Sequence, residues 1–311
     1  MTQHDDRPVL LATDGESDSD AALHFAAREA SARGVGLTLV HVYAVLPRGP
    51  QTALLEFADA EEIASSRLRH AVEHAQEVLA GQVAVTGRLV RDKIVQGVVE
   101  SSSEAQLVVL QRRDLAHLTR LVTRSTSSGV AAHAHAPVAV VPESWTGDGA
   151  GGRAGVVVGL DVSSRSRAVL RQALAEARAR RAALRIVHSC WVPGYADGTR
   201  IARVEQPTWA TDATEEVQRI LDEVRDEIGE VPVSIETGYA RPADALVTAS
   251  RTAELIVVGR HDPLVPSGSH LGPVARAVLR GAECPVLLVA PSPKHRGWRG
   301  VPHRAGDSAP A

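Results

Sequence analysis

Two glycines in the chain stand where an anion could meet bare backbone. Gly259 opens Gly259-Arg260-His261-Asp262, and after nine further residues Gly272 opens Gly272-Pro273-Val274-Ala275. Glycine lets the main chain approach a phosphate, and proline suits the first position of a helix. The N–H groups of Val274 and Ala275 would then be among the free donors of a helix N-terminus, where the dipole also favours negative charge. Ser267-Gly268-Ser269, in the intervening loop, adds hydroxyls. The same residues also start a helix with no ligand at all, and the sequence leaves both readings open. Asp14 and Asp161 each close an apolar run and precede serines. An aspartate there either contacts a ligand or caps the next turn or helix.

Other chemistries lack their parts. The two lysines, Lys93 and Lys294, follow Asp92 and Pro293, so no glycine-lysine phosphate loop exists. No Gly-x-Ser-x-Gly elbow supplies a hydrolase nucleophile. His133 and His135 stand two apart on an expected helix and face different ways, a poor metal pair. Cys190 and Cys284 each lie beside an apolar run and indicate no disulfide framework. His41 and His188 read as strand-end packing residues, and Glu61 and Glu62 as acids at a helix start. No catalytic residue and no metal site is therefore expected. A net charge of −3 gives no field to attract a nucleic acid or an anionic membrane. The start, Met1 to Asp6, is polar and acidic, and no apolar run approaches the roughly 18 residues of a membrane span, so a cytoplasmic protein is expected.

The elements that position these residues repeat. Arg7-Pro8-Val9-Leu10-Leu11-Ala12-Thr13-Asp14-Gly15 recurs as Ala154-Gly155-Val156-Val157-Val158-Gly159-Leu160-Asp161-Val162, and Leu39-Val40-His41-Val42 as Ile186-Val187-His188-Ser189. Ala105 to Leu110 matches Ala253 to Val258, and Ala136-Pro137-Val138 matches Cys284-Pro285-Val286, all at an offset of 147 to 148 (161−14 and 285−137). Within a copy, short β-branched runs alternate with Ala-rich segments of helical period, the signature of a parallel sheet flanked by helices. Strands are expected near Val9–Thr13, Leu37–Tyr43, Val83–Val90, Leu107–Leu110 and Val138–Val141, and again near Val156–Asp161, Leu184–Ser189, Val233–Thr237, Leu255–Gly259 and Val286–Ala290. Helices are expected near Asp18–Arg33, Asp59–Ala80, Ile94–Ser103, Ser125–His135, Ser164–Arg181, Asp212–Ile228, Pro242–Thr252 and Pro273–Gly281. The implied domains are 1–144 and 153–291, with Trp145–Gly152 as linker. The remainder, 292–311, reads as a disordered tail.

With these residues in place, the chain resembles the universal stress protein family over nearly all of Pro8–Val141 and Gly155–Ala290. The resemblance implies an α/β fold of two tandem doubly wound, Rossmann-like (HUP-type) domains. Each would carry a five-stranded parallel sheet of order 3-2-1-4-5, and the two would pack as an intramolecular pseudo-dimer through their last strands. It further implies an acid after strand one that contacts adenine and, in ATP-binding members, Gly-x-x-Gly, nine residues, then Gly-[Ser/Thr] after strand four. In the second copy Gly259 and Gly272 fit this pattern, while Asp262 replaces the middle glycine and Pro273 the hydroxyl residue. The nucleotide-binding set expected there is Asp161, Val162, Gly259, Arg260, Gly272, Pro273, Val274 and Ala275. In the first copy Gln111-Arg112-Arg113-Asp114 and Arg124-Ser125 have lost every motif glycine. Asp14, Gly15, Gln111 and Ser125 are thus a degenerate set, and the basic run Arg112, Arg113, Arg120 and Arg124 is a solvated face or an anion patch. The implied function is non-catalytic binding or sensing of ATP, mainly in the second domain, with stress-response action through an unidentified protein partner. The alternative is a scaffold that keeps the fold with no ligand. Slow ATP hydrolysis lacks a positioned base, metal ligand or arginine finger. The exposed sheet edges also leave a homodimer open.

Overall fold

In the computed structural model the described residues are 5–15, 20–44, 53–112, 126–147, 155–161, 166–190, 200–260 and 271–289. The first copy runs β1 (Val9–Ala12), α1 (Ala21–Arg33), β2 (Leu37–Tyr43), α2 (Ala53–Leu79), β3 (Val85–Arg91), α3 (Ile94–Ser101), a single 3₁₀ turn at Ser102–Glu104, β4 (Leu107–Arg112), α4 (Thr126–His133) and β5 (Val138–Pro142). The second runs β6 (Val156–Gly159), α5 (Ser166–Arg180), β7 (Leu184–Cys190), α6 (Arg200–Asp222), α7 (Arg225–Ile228), β8 (Val233–Tyr239), α8 (Pro242–Ser250), β9 (Leu255–Gly259), α9 (Pro273–Gly281) and β10 (Val286–Val289).

Val, Leu and Ile dominate the central strands because both faces of a parallel sheet are covered by helices. The strands of each copy are parallel, in the order 3-2-1-4-5 expected from the resemblance, and the two half-sheets join into one ten-stranded sheet, β3-β2-β1-β4-β5-β10-β9-β6-β7-β8. The last strands meet as expected and run antiparallel, with Val286 opposite Val140, Leu287 opposite Ala139 and Leu288 opposite Val138. One apolar core lies on the face of α1, α2, α5 and α6, and a second on the face of α3, α4, α8 and α9. Each of these cores extends through both copies. Alanines such as Ala22, Ala26 and Ala30 bring α1 close onto the strands, and Gly34 ends that helix at φ +68, accepting the left-handed conformation a C-terminal cap requires.

Several boundaries differ from the sequence reading, the division of the expected Asp212–Ile228 helix into α6 and α7 among them. Helix α2 begins at Ala53 rather than near Asp59, and α6 begins at Arg200 rather than near Asp212, continuing across Pro207. Proline removes one backbone donor and usually ends a helix, which is why sequence alone starts α6 after it. Trp145, assigned to the linker, belongs to the core. It is buried, and its ring meets Phe25 of α1 edge to face at 5.6 Å, with the Arg28 guanidinium over both rings. The tail from 292 onward lies outside the described residues.

Candidate functional site

A doubly wound sheet opens a crevice at the carboxyl ends of its strands where the strand order reverses. In the second copy this point falls between β6 and β9, which pair in parallel from Val156–Leu255 to Val158–Val257. The chain leaving β6 passes through Leu160 and Asp161 towards α5, and the chain leaving β9 returns through Leu271 and Gly272 into α9. Both helix N-termini therefore lie at the carboxyl edge. Gly272 occupies the N-cap of α9 at φ −68 and ψ 166 with no side-chain cap, and Pro273 takes the first position. The first N–H groups of a helix have no intrahelical partner, and among the described residues no side chain caps those of the opening turn of α9.

The other expected residues divide between the two readings. Asp161 is exposed, and its Oδ1 accepts a hydrogen bond from Oγ of Ser166, the buried first residue of α5, at 3.0 Å. Its carboxylate thereby fixes the opening of that helix. Gly259 has a packing reason to be glycine, because a Cβ there would lie 2.9 Å from Cγ2 of Val169 on α5. Arg260 directs its side chain away from the crevice. Its N–H donates to the carbonyl of Val289 at 2.9 Å, and its guanidinium reaches the carbonyls of Ala134 and Ala136 in the first copy. Val162, Asp262 and Ser267–Ser269 lie outside the described residues.

In the first copy Asp14 is exposed and Gln111 half-buried at the end of β4. Gly15 adopts φ +75, and its N–H donates to Oγ1 of Thr13 at 3.0 Å. A Cβ at Gly15 would lie 2.8 Å from Cβ of Arg67, so α2 rests directly on the loop that leaves β1. Ser125, Arg113, Arg120 and Arg124 lie outside the described residues, while Arg112 reaches the second copy, its Nη1 donating to the carbonyl of Leu279 at 2.9 Å.

Sequence reasoning missed what holds the first strands in place. His41 Nδ1 lies 2.9 Å from the carbonyl of Thr13, and His188 Nδ1 lies 2.9 Å from the carbonyl of Leu160. A carbonyl only accepts, so each imidazole donates its Nδ1–H and pins the exit of β1 or β6 to the neighbouring strand. The signal was present, since both histidines occupy the same place in the repeat, 147 residues apart (188−41).

It also missed the cluster that binds the copies together. Glu29 and Arg33 on α1 meet Glu176 and Arg180 on α5. Arg33 pairs with Glu29 and, at 3.1 Å, with Glu176, while Arg180 pairs with Glu29 and with Glu176. Both glutamates are 3% exposed. Burial works against the charge of Arg180, yet Glu29 and Glu176 outweigh it and raise the guanidinium above its ordinary value.

Among the described residues no group of three or more His, Cys, Asp or Glu is placed to hold a metal, and no helix is long and apolar enough to cross a membrane. Comparison with known proteins matches the universal stress protein family at residues 7–142 and again at 154–290. A universal stress protein of Mycolicibacterium smegmatis is 32% identical over 300 residues, covering 91% of this chain and 97% of its own. One of Mycobacterium tuberculosis is 30% identical over 301 residues, covering 90% and 94%. The crystal structure of a universal stress protein from Archaeoglobus fulgidus superposes over 93% of this chain and 97% of that one, with a TM-score of 0.63 at 18% identity. Two matched copies spanning both half-sheets, with relatives aligned over nine-tenths or more of both chains, establish that the chain belongs to the universal stress protein family.

Proposed function

We propose that the protein is a non-catalytic universal stress protein that binds an adenine nucleotide, ATP or a close relative, in the crevice of its second copy and acts through a protein partner. The observation that carries this reading is the N-terminus of α9, built from Gly272 and Pro273 with no capping side chain among the described residues, beside the switch point of β6 and β9. The phosphates would meet the N–H groups of Val274 and Ala275, and the base would lie towards Asp161 and Val162. Gly259 supports the position of the β9 end, and Arg260 supports it through its contacts across the junction. The first copy, with Asp14, Gly15, Gln111 and Ser125 in place of the motif, serves as the structural counterpart.

Calorimetric titration with ATP tests the proposal. Wild type is expected to bind and Gly272→Glu to lose binding, because a carboxylate at the N-cap would occupy the donors and repel phosphate. The backbone of Gly272 lies in a region open to any residue, so this variant introduces charge without backbone strain. Negligible binding by both proteins would sink the reading. The outcome would then favour the ligand-free scaffold, which two observations already support: the packing role of Gly259 and the helix-opening role of Asp161.

A further inference from the structure

Immediately after the motif position, both copies carry an arginine, Arg112 after Gln111 and Arg260 after Gly259. Each reaches into the other copy. Arg112 donates to the carbonyl of Leu279 in the last turn of α9, and Arg260 donates to the carbonyl of Ala134 at 2.6 Å and to that of Ala136, where the chain leaves α4. The last carbonyls of a helix have no intrahelical partner and mark the negative end of its dipole, so Arg112 caps the closing end of α9, while Arg260 ties down the chain just past the closing end of α4. The contact is costly to build. Arg260 is 6% exposed, and burial pushes its guanidinium down to about 10. Its Nε is buried with no hydrogen-bond partner among the described residues.

Helix α9 spans nine residues, about 13 Å at the usual rise per residue, so little more than two turns separate its two ends. Its opening end carries Gly272 and Pro273, while its closing end is held from the first copy. We propose that Arg112 and Arg260 are positioning residues supplied in trans, each fixing from one copy the helix that faces the crevice of the other, so that Arg112 sets the anion-facing end of α9. The ligand half of this inference rests on the nucleotide reading above, and the clamp does not. Binding linkage is reciprocal, so an anion at the opening of α9 also tightens the grip of Arg112 at its close.

The test compares wild type, Arg112→Ala and Arg112→Lys by hydrogen exchange without ligand and by calorimetry with ATP. Amides of α9 are expected to exchange about tenfold faster in Arg112→Ala, with β9 and β10 unchanged, and Arg112→Lys should restore most of the protection. ATP affinity should fall in parallel by about tenfold and recover with lysine. Unchanged α9 exchange in Arg112→Ala overturns the clamp, and faster exchange with unaltered ATP affinity overturns the positioning role. Where wild type binds no ATP, the nucleotide reading and the positioning of its ligand fall together, and α9 exchange still decides the clamp. Arg112→Gln, which keeps a donor and sheds the charge, takes the place of the alanine variant if that variant does not fold.

Discussion

Gly259 shows how one residue can serve a family pattern and a packing constraint at once. Its absent Cβ would fall 2.9 Å from Val169, so Gly259→Ala is expected to destabilise the protein by about 1–3 kcal/mol, whether or not a ligand binds. Val169→Ala should relieve most of that cost, and urea unfolding of the two single variants and the double variant would show the coupling. Additive effects would mean that the clash is not what demands glycine. Sequence singled out Gly259 through spacing alone, and spacing cannot distinguish room for a phosphate from room for a neighbouring helix. The direction of Arg260 was equally hidden, because its partners are carbonyls 124 and 126 residues away, and main-chain acceptors leave no trace in residue type. Glu29 and Glu176 were within reach. Each is an acid on an otherwise Ala-rich buried helix face with Arg four residues on, and the pattern repeats at an offset of 147 (176−29).

At the scale of elements, strand positions were legible because β-branched runs buried on both faces have few alternatives. The starts of α2 and α6 were not: α6 runs on through Pro207, which sequence reads as a helix boundary, and α2 begins six residues before Asp59, in the run Ala53 to Ala58 that the reading left outside the helix. Contact between α2 and the loop leaving β1 was likewise invisible, and it accounts for Gly15. That residue needs the left-handed region and allows Arg67 to approach. Gly15→Ala is expected to cost about 1–2 kcal/mol from the backbone alone, with more from the clash, read as a lowered midpoint in chemical denaturation. Gly81→Ala is an informative control, for it shares a positive φ but has open space around it, so it should lose only the backbone share.

At the scale of the molecule, the two copies are joined by a strand pair at the centre of the sheet, an ionic cluster on one side and the arginine clamp on the other. Glu176→Ala would leave Arg33 and Arg180 with a single buried partner. It is expected to cost about 3–5 kcal/mol, whereas Arg167→Ala, which breaks the exposed pair with Glu223, should cost about 0–1 kcal/mol. Thermal unfolding at low and high salt separates the two further, because solvent ions screen the exposed pair and not the buried cluster.

The antiparallel meeting of β5 and β10 has a consequence for how such a chain can change over time. It turns the carboxyl ends of the two half-sheets towards opposite edges of the molecule, so the two mouths share no surface. In a symmetric pair of identical chains, every substitution at one mouth is imposed on the other as well. Here Gln111 stands at one end where Gly259 stands at the other, and the central strand pair joins both halves. Carrying both copies on one chain therefore uncouples the two ends, so that a substitution at one mouth leaves the other unchanged.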